Sequence, residues 1–167
     1  MKYLHVEPKV RIVHLWLFRV SFIRDEIDCF IKVNEVQDVA LSILVVEDEE
    51  DISLMLQDRL MFLGFYVTVA RNGVEGIAIL ERMAVDGILM DIQMPVMDGL
   101  TMLKHVRERD PDIPVIAMSA KLTKTNLIQA IELGANDYLL KPIDVDLLTK
   151  KCSLIFSSRS SQRELKL

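Results

Sequence analysis

From Ser42 onward, short apolar runs alternate with longer stretches in which apolar residues recur at helical spacing. The first run, residues 43–46, is continuously apolar, as expected of a strand that is covered on both faces. The same succession recurs along the chain and predicts strands at 43–46, 66–70, 87–90, 115–118 and 138–140. Strands that alternate with helices in this way predict an α/β fold, a doubly wound five-stranded parallel sheet with right-handed crossovers and helices on both faces.

Local signals mark where the helices begin and end. Gly64 and Gly134 are predicted to end the first and fourth helices. Asp144 and Asp146 are alternative caps for the last helix, and Asp98 is interpreted as a structural residue. The apolar residues of the last helix that are expected to face inward are Val145, Leu148, Cys152 and Ile155. Asp98 belongs to the long connection between the third strand and its helix.

Polar residues stand where the predicted strands end. Glu47 and Asp48 follow the first strand and Asp91 the third, whereas Ser119 and Lys141 follow the fourth and fifth. In doubly wound folds the functional groups gather at the carboxyl ends of the strands, near the switch in strand order. We therefore expect these side chains to share one rim of the sheet.

Three carboxylates on one rim restrict the chemistry of the site. At about 5 Å they repel each other by roughly 3 kcal/mol per pair at an effective dielectric near 20, so the site must hold a cation or shift a pKa. Ligands that are all oxygens favour Mg²⁺. With Lys141 as a second positive charge, the rim is suited to a phosphoryl group next to Asp91.

Composition excludes several other classes. The 25 acidic and 20 basic residues give a net charge of -5, which disfavours direct nucleic-acid binding. Cys29 and Cys152 lack the spacing of a zinc site or disulfide framework. The most apolar stretch, residues 10–23, is interrupted by charges and lacks a cleavage site, so we expect neither a membrane span nor a secretory signal, and a cytoplasmic location.

Four segments together resemble the receiver domains of two-component, or phosphorelay, response regulators. They are residues 44–48, 90–99, 118–120 and 140–142, in the order and spacing of that family. The resemblance covers about residues 41–156 and implies a flavodoxin-like sheet of the chemotaxis-regulator type, with strand order 2-1-3-4-5. In many relatives the bond that corresponds to Lys141–Pro142 is cis.

The resemblance implies roles for the acidic residues. Asp91 would accept a phosphoryl group as an aspartyl phosphate. Mg²⁺ would be bound by Asp48, Asp91 and the backbone carbonyl of Gln93, and Glu47 would support the metal through water. Glutamate replaces the commoner aspartate at position 47, which lengthens one arm of the site.

It also implies roles for residues around the acceptor. Ser119 and Lys141 would bind the phosphoryl oxygens, and Ser119 and Tyr138 would change position when the protein is phosphorylated. Gln93 and Lys121, which lie two residues after the acceptor and the hydroxyl, would tune the lifetime of the phosphoryl group. Such a protein is a signalling domain and not an enzyme with an external substrate.

The implied partners follow from this role. The phosphodonor would be a histidine kinase or a histidine phosphotransfer protein. The fourth helix, fifth strand and fifth helix would present an altered face to a downstream effector or to a second copy in a homodimer. Because no output domain is recognised, the chain is interpreted as a stand-alone regulator or as the receiver part of a hybrid kinase.

Two other functions are considered. One is a receiver that docks partners without taking phosphate. The other, less favoured, is a Mg²⁺-dependent phosphohydrolase with an aspartyl-phosphate intermediate, but residues 47–51 lack the DxD spacing of haloacid-dehalogenase-like enzymes. Nucleotide and flavin modules are disfavoured because no glycine-rich phosphate loop follows the first strand.

The ends lie outside the resemblance. Residues 1–40 are taken as an N-terminal extension whose secondary structure the pattern does not settle, and residues 157–167 as a polar tail or the start of a linker. Trp16 and Phe18 stand beside arginines, but a membrane contact through residues 10–24 is the less favoured interpretation.

Overall fold

The computed structural model describes residues 40–120 and 124–164, and it describes the backbone alone in 124–127 and 157–164. The expectations for the N-terminal extension, for Cys29 and for Lys121 lie outside the described residues.

Five parallel strands form one sheet in the order β2-β1-β3-β4-β5, so the predicted fold class and strand order are confirmed. Each predicted strand is present, and four of them begin or end one residue beyond the predicted bounds. The strands are β1 Ser42–Val46, β2 Tyr66–Ala70, β3 Gly87–Asp91, β4 Val115–Ser119 and β5 Asp137–Leu140.

A helix follows each strand. The helices are α1 Glu50–Phe62, α2 Gly73–Arg82, α3 Gly99–Arg109, α4 Lys124–Glu132 and α5 Val145–Glu164. Gly64 and Gly134 have φ values of 89° and 97°, the left-handed conformation that follows many helix ends. The Asp144 carboxylate accepts hydrogen bonds from two amides of the first turn of α5, so Asp144, and not Asp146, caps this helix. None of these five described helices combines the length and hydropathy that crossing a bilayer requires.

Two apolar layers cover the sheet. Alternate strand residues point to opposite faces, so Ile43 and Val45 pack against α1 and α5, whereas Leu44 and Val46 pack against α2, α3 and α4. All four residues are completely buried. Because the three central strands, β1, β3 and β4, are covered on both faces, the polar groups of this region are left to the edges where the strands end.

The last helix differs from its predicted form. Residues 157–164, expected as a polar tail, continue the backbone of α5 to Glu164. Val145 was expected to face inward, but it is 39% exposed in the first turn, whereas Leu148 and Cys152 are buried as predicted. Burial raises the pKa of the Cys152 thiol to about 12, which keeps this free cysteine protonated and unreactive near neutral pH.

Phe156 secures α5 to the rest of the domain. Its side chain is fully buried, and its ring meets Phe65 edge-on with 6.1 Å between centroids. We expect Phe156→Ala to lower the free energy of unfolding by about 3–5 kcal/mol, because a large side chain is removed from a packed layer. Urea denaturation measures this loss. Leu154→Ala is the matched control, since Leu154 is 71% exposed on the same helix and should change stability by less than about 0.5 kcal/mol. Equal effects of the two substitutions would contradict the packing described.

Candidate functional site

The parallel register brings the ends of four strands to one edge of the sheet. The backbone pairing continues past the strand ends, since the amide of Glu47 donates to Ala70 and the amide of Lys141 donates to Ser119, each at 2.9 Å. The amide of Ile92, next to Asp91, likewise donates to Met118 at 2.9 Å. The predicted rim is therefore built by the sheet itself, and the positions of its side chains follow from strand register.

The Lys141 ammonium is the central contact of this edge. Its Nζ lies 2.5 Å from Asp91 Oδ2 and 2.8 Å from Glu47 Oε1, and 3.4 Å from Glu49 Oε1. The Lys141 side chain is only 7% exposed, and those of Asp91 and Glu47 are 5% and 0% exposed. The peptide bond between Lys141 and Pro142 is cis. One cation is thus held among carboxylates that come from two other strand ends.

Burial and pairing act in opposite directions on the pKa values of this group. Burial by itself lowers the pKa of Lys141, but hydrogen bonds to Asp91 and Glu47 and their negative charges together outweigh it, so this pKa is raised above its ordinary value. Burial raises the pKa of Glu47, and Lys141 only partly offsets that effect. Lys141 is therefore charged at neutral pH. A metal ion bound beside Glu47 would be a second cation and would favour the ionised form of this carboxyl group.

The acidic residues suit a metal ion. Glu47, Asp48 and Asp91 each offer a carboxylate oxygen, and these oxygens lie within 4.8 Å of one another. The buried Oε2 atom of Glu47 accepts no hydrogen bond from the described residues. Asp48 is exposed, so the group opens to solvent on one side. An all-oxygen donor set with an excess of negative charge over Lys141 fits a hard divalent cation such as Mg²⁺.

The segment after Asp91 is held close to the acceptor position. The amide of Gln93 donates to Asp91 Oδ1 at 2.8 Å, which fixes the carboxylate, while the Gln93 side chain is exposed. Gly99 returns against the same residue: a Cβ atom at Gly99 would lie 2.1 Å from the Asp91 carbonyl oxygen. Only glycine permits this approach, so the loop closes tightly over the backbone of Asp91.

The tip of this loop contains a backbone strain. Val96 has a φ of 71°, and the amide of Met97 donates to the carbonyl of Pro95 at 2.8 Å, the bond of a γ-turn. A positive φ is unfavourable for a β-branched residue, and Val96 gains little packing in return because it is 83% exposed. Asp98 then caps α3 through the amide of Thr101 at 2.7 Å, the structural role expected for it.

Ser119 and Tyr138 lie on the last two strands, which end at this edge. Ser119 ends β4, is 8% exposed and pairs in register with Leu140, the residue before Lys141. The Tyr138 ring is half-buried, packs against the layer formed with α2, α3 and α4, and has Lys151 Nζ 5.3 Å from its centroid. Ser119 is thus at this edge, whereas Tyr138 lies within β5, three residues before Lys141. The predicted role of Lys121 lies outside the described residues.

The comparison with protein families agrees with this geometry. The model of the response regulator receiver domain matches residues 43–153. The chain belongs to the response regulator receiver domain family. The resemblance to two-component receivers is therefore confirmed, and receiver domains are signalling domains. Phosphorylation and Mg²⁺ binding are general features of this family.

The curated relatives are longer than the part of them that matches this chain. The chain is 32% identical over 122 residues to the uncharacterized transcriptional regulatory protein YkoG of Bacillus subtilis, covering 73% of this chain and 54% of that protein. It spans about half or less of the length of the curated relatives that it matches.

Two solved structures are similar over most of the described range. The signal receiver domain of a signal transduction histidine kinase from Syntrophus aciditrophicus is 28% identical, with a TM-score of 0.67 and coverage of 71% of this chain and 92% of that chain. The receiver domain of the response regulator Ssk1, crystallised with the histidine phosphotransfer signaling protein Ypd1 of Saccharomyces cerevisiae, is 25% identical, with a TM-score of 0.66 and coverage of 71% and 90%.

Three features of the site are not predicted from the sequence. The Glu49–Lys141 contact depends on how far a long side chain reaches across the edge, although Glu49 lies in the acidic run of residues 47–51. The Lys151–Tyr138 contact depends on the facing of α5. The positive φ of Val96 has no sequence signal, because glycine or asparagine would be the usual residue there.

We expect Val96→Gly to raise the free energy of unfolding by about 1 kcal/mol, since it relieves the positive φ and removes a side chain that buries little surface. Chemical denaturation measures the change. Val74→Gly is the control: Val74 is 48% exposed in α2, and glycine there should lower stability by roughly 0.5–1 kcal/mol. A loss of stability in both variants would contradict the strain at Val96.

Proposed function

We propose that this receiver accepts a phosphoryl group on Asp91 in a Mg²⁺-dependent reaction and thereby alters its α4–β5–α5 face. The observation that carries the proposal is the buried ammonium of Lys141, bound at 2.5 Å to Asp91, whose carboxylate clusters with those of Glu47 and Asp48. A carboxylate in this position has a charged hydrogen-bond donor next to the oxygen that would receive phosphorus.

The chain's own residues supply positioning and charge. An Asp91 carboxylate oxygen would form a bond to phosphorus while the bond between phosphorus and the donor atom breaks, and the leaving group departs with the electron pair. Lys141 would neutralise charge on the phosphoryl oxygens, and Ser119 would donate its hydroxyl to one of them. The amide of Gln93 holds the other Asp91 oxygen at 2.8 Å, which keeps the carboxylate in one orientation.

Mg²⁺ would be held by Asp48, Asp91 and the backbone carbonyl of Gln93, with Glu47 supporting it through water. When bound, the cation neutralises charge that develops on the phosphoryl oxygens. The fit is supported by the carboxylate oxygens within 4.8 Å and by the buried Glu47 Oε2, which lacks a hydrogen-bond donor among the described residues.

The output surface follows from the position of β5. Ser119 would move toward the phosphoryl group and Tyr138 would turn inward behind it, changing the face formed by α4, β5 and α5. This face carries exposed apolar residues suited to an effector or to a second copy in a homodimer: Ile128, Ile131, Leu140, Leu147 and Leu154. Gln93 and Lys121 would tune how long the altered state lasts.

The donor would be a histidine kinase or a histidine phosphotransfer protein. This assignment is supported by the similar receiver of Ssk1, which was crystallised with such a phosphotransfer protein. The similar receiver of a histidine kinase is consistent with a hybrid-kinase context, whereas YkoG is consistent with a regulator that carries further sequence. A receiver that docks partners without phosphorylation remains the second candidate, because Asp91 and Lys141 could serve as a purely structural pair.

Incubation with acetyl phosphate and Mg²⁺ should add about 80 Da to the intact protein, as measured by mass spectrometry. Asp91→Asn should abolish the gain, because it removes the nucleophilic carboxylate oxygen, and a chelator should abolish it in the unsubstituted protein. Asp112→Asn, which changes an exposed loop aspartate, is the control and should take up phosphate normally. A folded protein that gains no mass would support the docking-only alternative.

Lys141→Met should have opposite effects on two properties of the site. Because the ammonium competes with a metal ion for Asp91 and Glu47, its loss should tighten Mg²⁺ binding by roughly tenfold in a calorimetric titration. The phosphorylation rate should nevertheless fall by at least about tenfold, since the phosphoryl oxygens lose their cation.

Lys150→Met is the control for this variant, since Lys150 is an exposed lysine of α5. It should leave both the Mg²⁺ affinity and the phosphorylation rate unchanged. Weaker Mg²⁺ binding in Lys141→Met would contradict the competition between the ammonium and the metal ion.

A further inference from the structure

Glu49 is an acidic residue of this edge to which the proposed reaction assigns no part. It is the residue before α1, but its side chain makes no cap to that helix. Its carboxylate instead reaches Lys141, with 3.4 Å between Oε1 and Nζ, while its amide donates to Glu47 Oε1 at 3.3 Å. The Glu49 side chain is 64% exposed, so it lies on the solvent side of a lysine that is otherwise buried.

Lys141 has a limited number of hydrogen-bond donors, so a phosphoryl group competes for them with the carboxylates. An ammonium has three N–H groups, and its three carboxylate neighbours can accept all of them. A phosphoryl oxygen that binds Lys141 must therefore displace one carboxylate. The Glu49 contact is the longest and the most solvated of the three, whereas Asp91 and Glu47 are buried, so Glu49 is the ligand that exchanges most readily.

We propose that Glu49 is a specificity-determining residue. Its carboxylate releases Lys141 when a phosphodonor binds, and its charge discriminates among phosphodonors by their negative charge. This inference rests on the proposed phosphorylation of Asp91. The Glu49 carboxylate stands at the open side of the site, where it repels a dianionic donor more than a donor whose protonated nitrogen offsets one charge. Donors in which phosphorus is bonded to nitrogen are therefore favoured over acyl phosphates.

The two donor classes undergo the same substitution at phosphorus. With acetyl phosphate, the Asp91 oxygen bonds to phosphorus, the bond from phosphorus to the acyl oxygen breaks, and acetate leaves with the electron pair. With phosphoramidate, the bond from phosphorus to the protonated nitrogen breaks, and ammonia leaves with the electron pair. Neither reaction needs an oxidant or reductant, so the two donors differ in charge while the product at Asp91 is the same.

The test compares initial phosphorylation rates of the full chain and of Glu49→Gln at saturating Mg²⁺, with acetyl phosphate and phosphoramidate as donors and phosphorylated protein separated by mass. We expect the rate with acetyl phosphate to rise about threefold and that with phosphoramidate to rise less than twofold, through lower half-saturating donor concentrations. The difference should shrink at high ionic strength.

Glu50→Gln is the matched control, because Glu50 is an adjacent exposed carboxylate that pairs with Arg71 at 3.9 Å and is not among the carboxylates that contact Lys141. It should change the ratio of the two rates by less than half as much as Glu49→Gln. An NMR titration with the anion beryllofluoride supplies a readout besides phosphorylation, and Glu49→Gln should bind this phosphoryl mimic about twofold more tightly.

Equal rate changes for the two donors, or equal effects of Glu49→Gln and Glu50→Gln, would overturn the role of Glu49 while leaving the phosphorylation of Asp91 intact. Failure of the unsubstituted chain to react with either donor would instead overturn the proposed function, and this inference with it.

Discussion

The Lys141 ammonium, held between the carboxylates of Asp91 and Glu47, is the contact on which the rest of this edge depends. Three buried ionic groups are unfavourable unless they are paired, because each loses most of its hydration. Pairing is possible here because β1, β3 and β5 end within two residues of one another in the register that the sheet imposes. The apolar layers on both faces therefore do more than stabilise the fold: they leave the strand ends as the place where charge can collect.

The loop after Asp91 shows how tightly the backbone is adapted to that arrangement. Gly99 approaches the Asp91 carbonyl where a side chain would not fit, and the amide of Gln93 holds the carboxylate from the other side. Asp98 anchors the far end of the loop to α3. The positive φ of Val96 is the strained point in this short connection, and the hydrogen bonds on either side of it allow the strain to persist.

Sequence periodicity was sufficient for the sheet, because alternating buried strands and helices leave few topologies once right-handed crossovers are required. It also identified the residues that share the edge, since each stands at the end of a strand or within two residues after it. The inward facing of Val145 was predicted wrongly, because an apolar residue in the first turn of a helix can project past the sheet. The continuation of α5 through residues 157–164 was missed, since a serine-rich composition resembles a linker while the helix propagates from the packed turns around Phe156.

Contacts made by long side chains could not be read from the pattern in the same way. Whether Glu49 reaches Lys141 depends on rotamers and on the path of the backbone before α1, not on the spacing of residues in the chain.

The contacts of Lys141 bear on how a charge added at Asp91 would be transmitted to the rest of the domain. Lys141 directly follows β5, so a change in its ligands acts on the strand that carries Tyr138 and on the turn that leads to α5. In the proposed function Ser119 would act on the neighbouring strand, and the two residues are joined by the hydrogen bond between the Lys141 amide and the Ser119 carbonyl. Redistribution of the three N–H groups of one lysine would thus link the proposed chemistry to the α4–β5–α5 face through strands that are already hydrogen-bonded to each other.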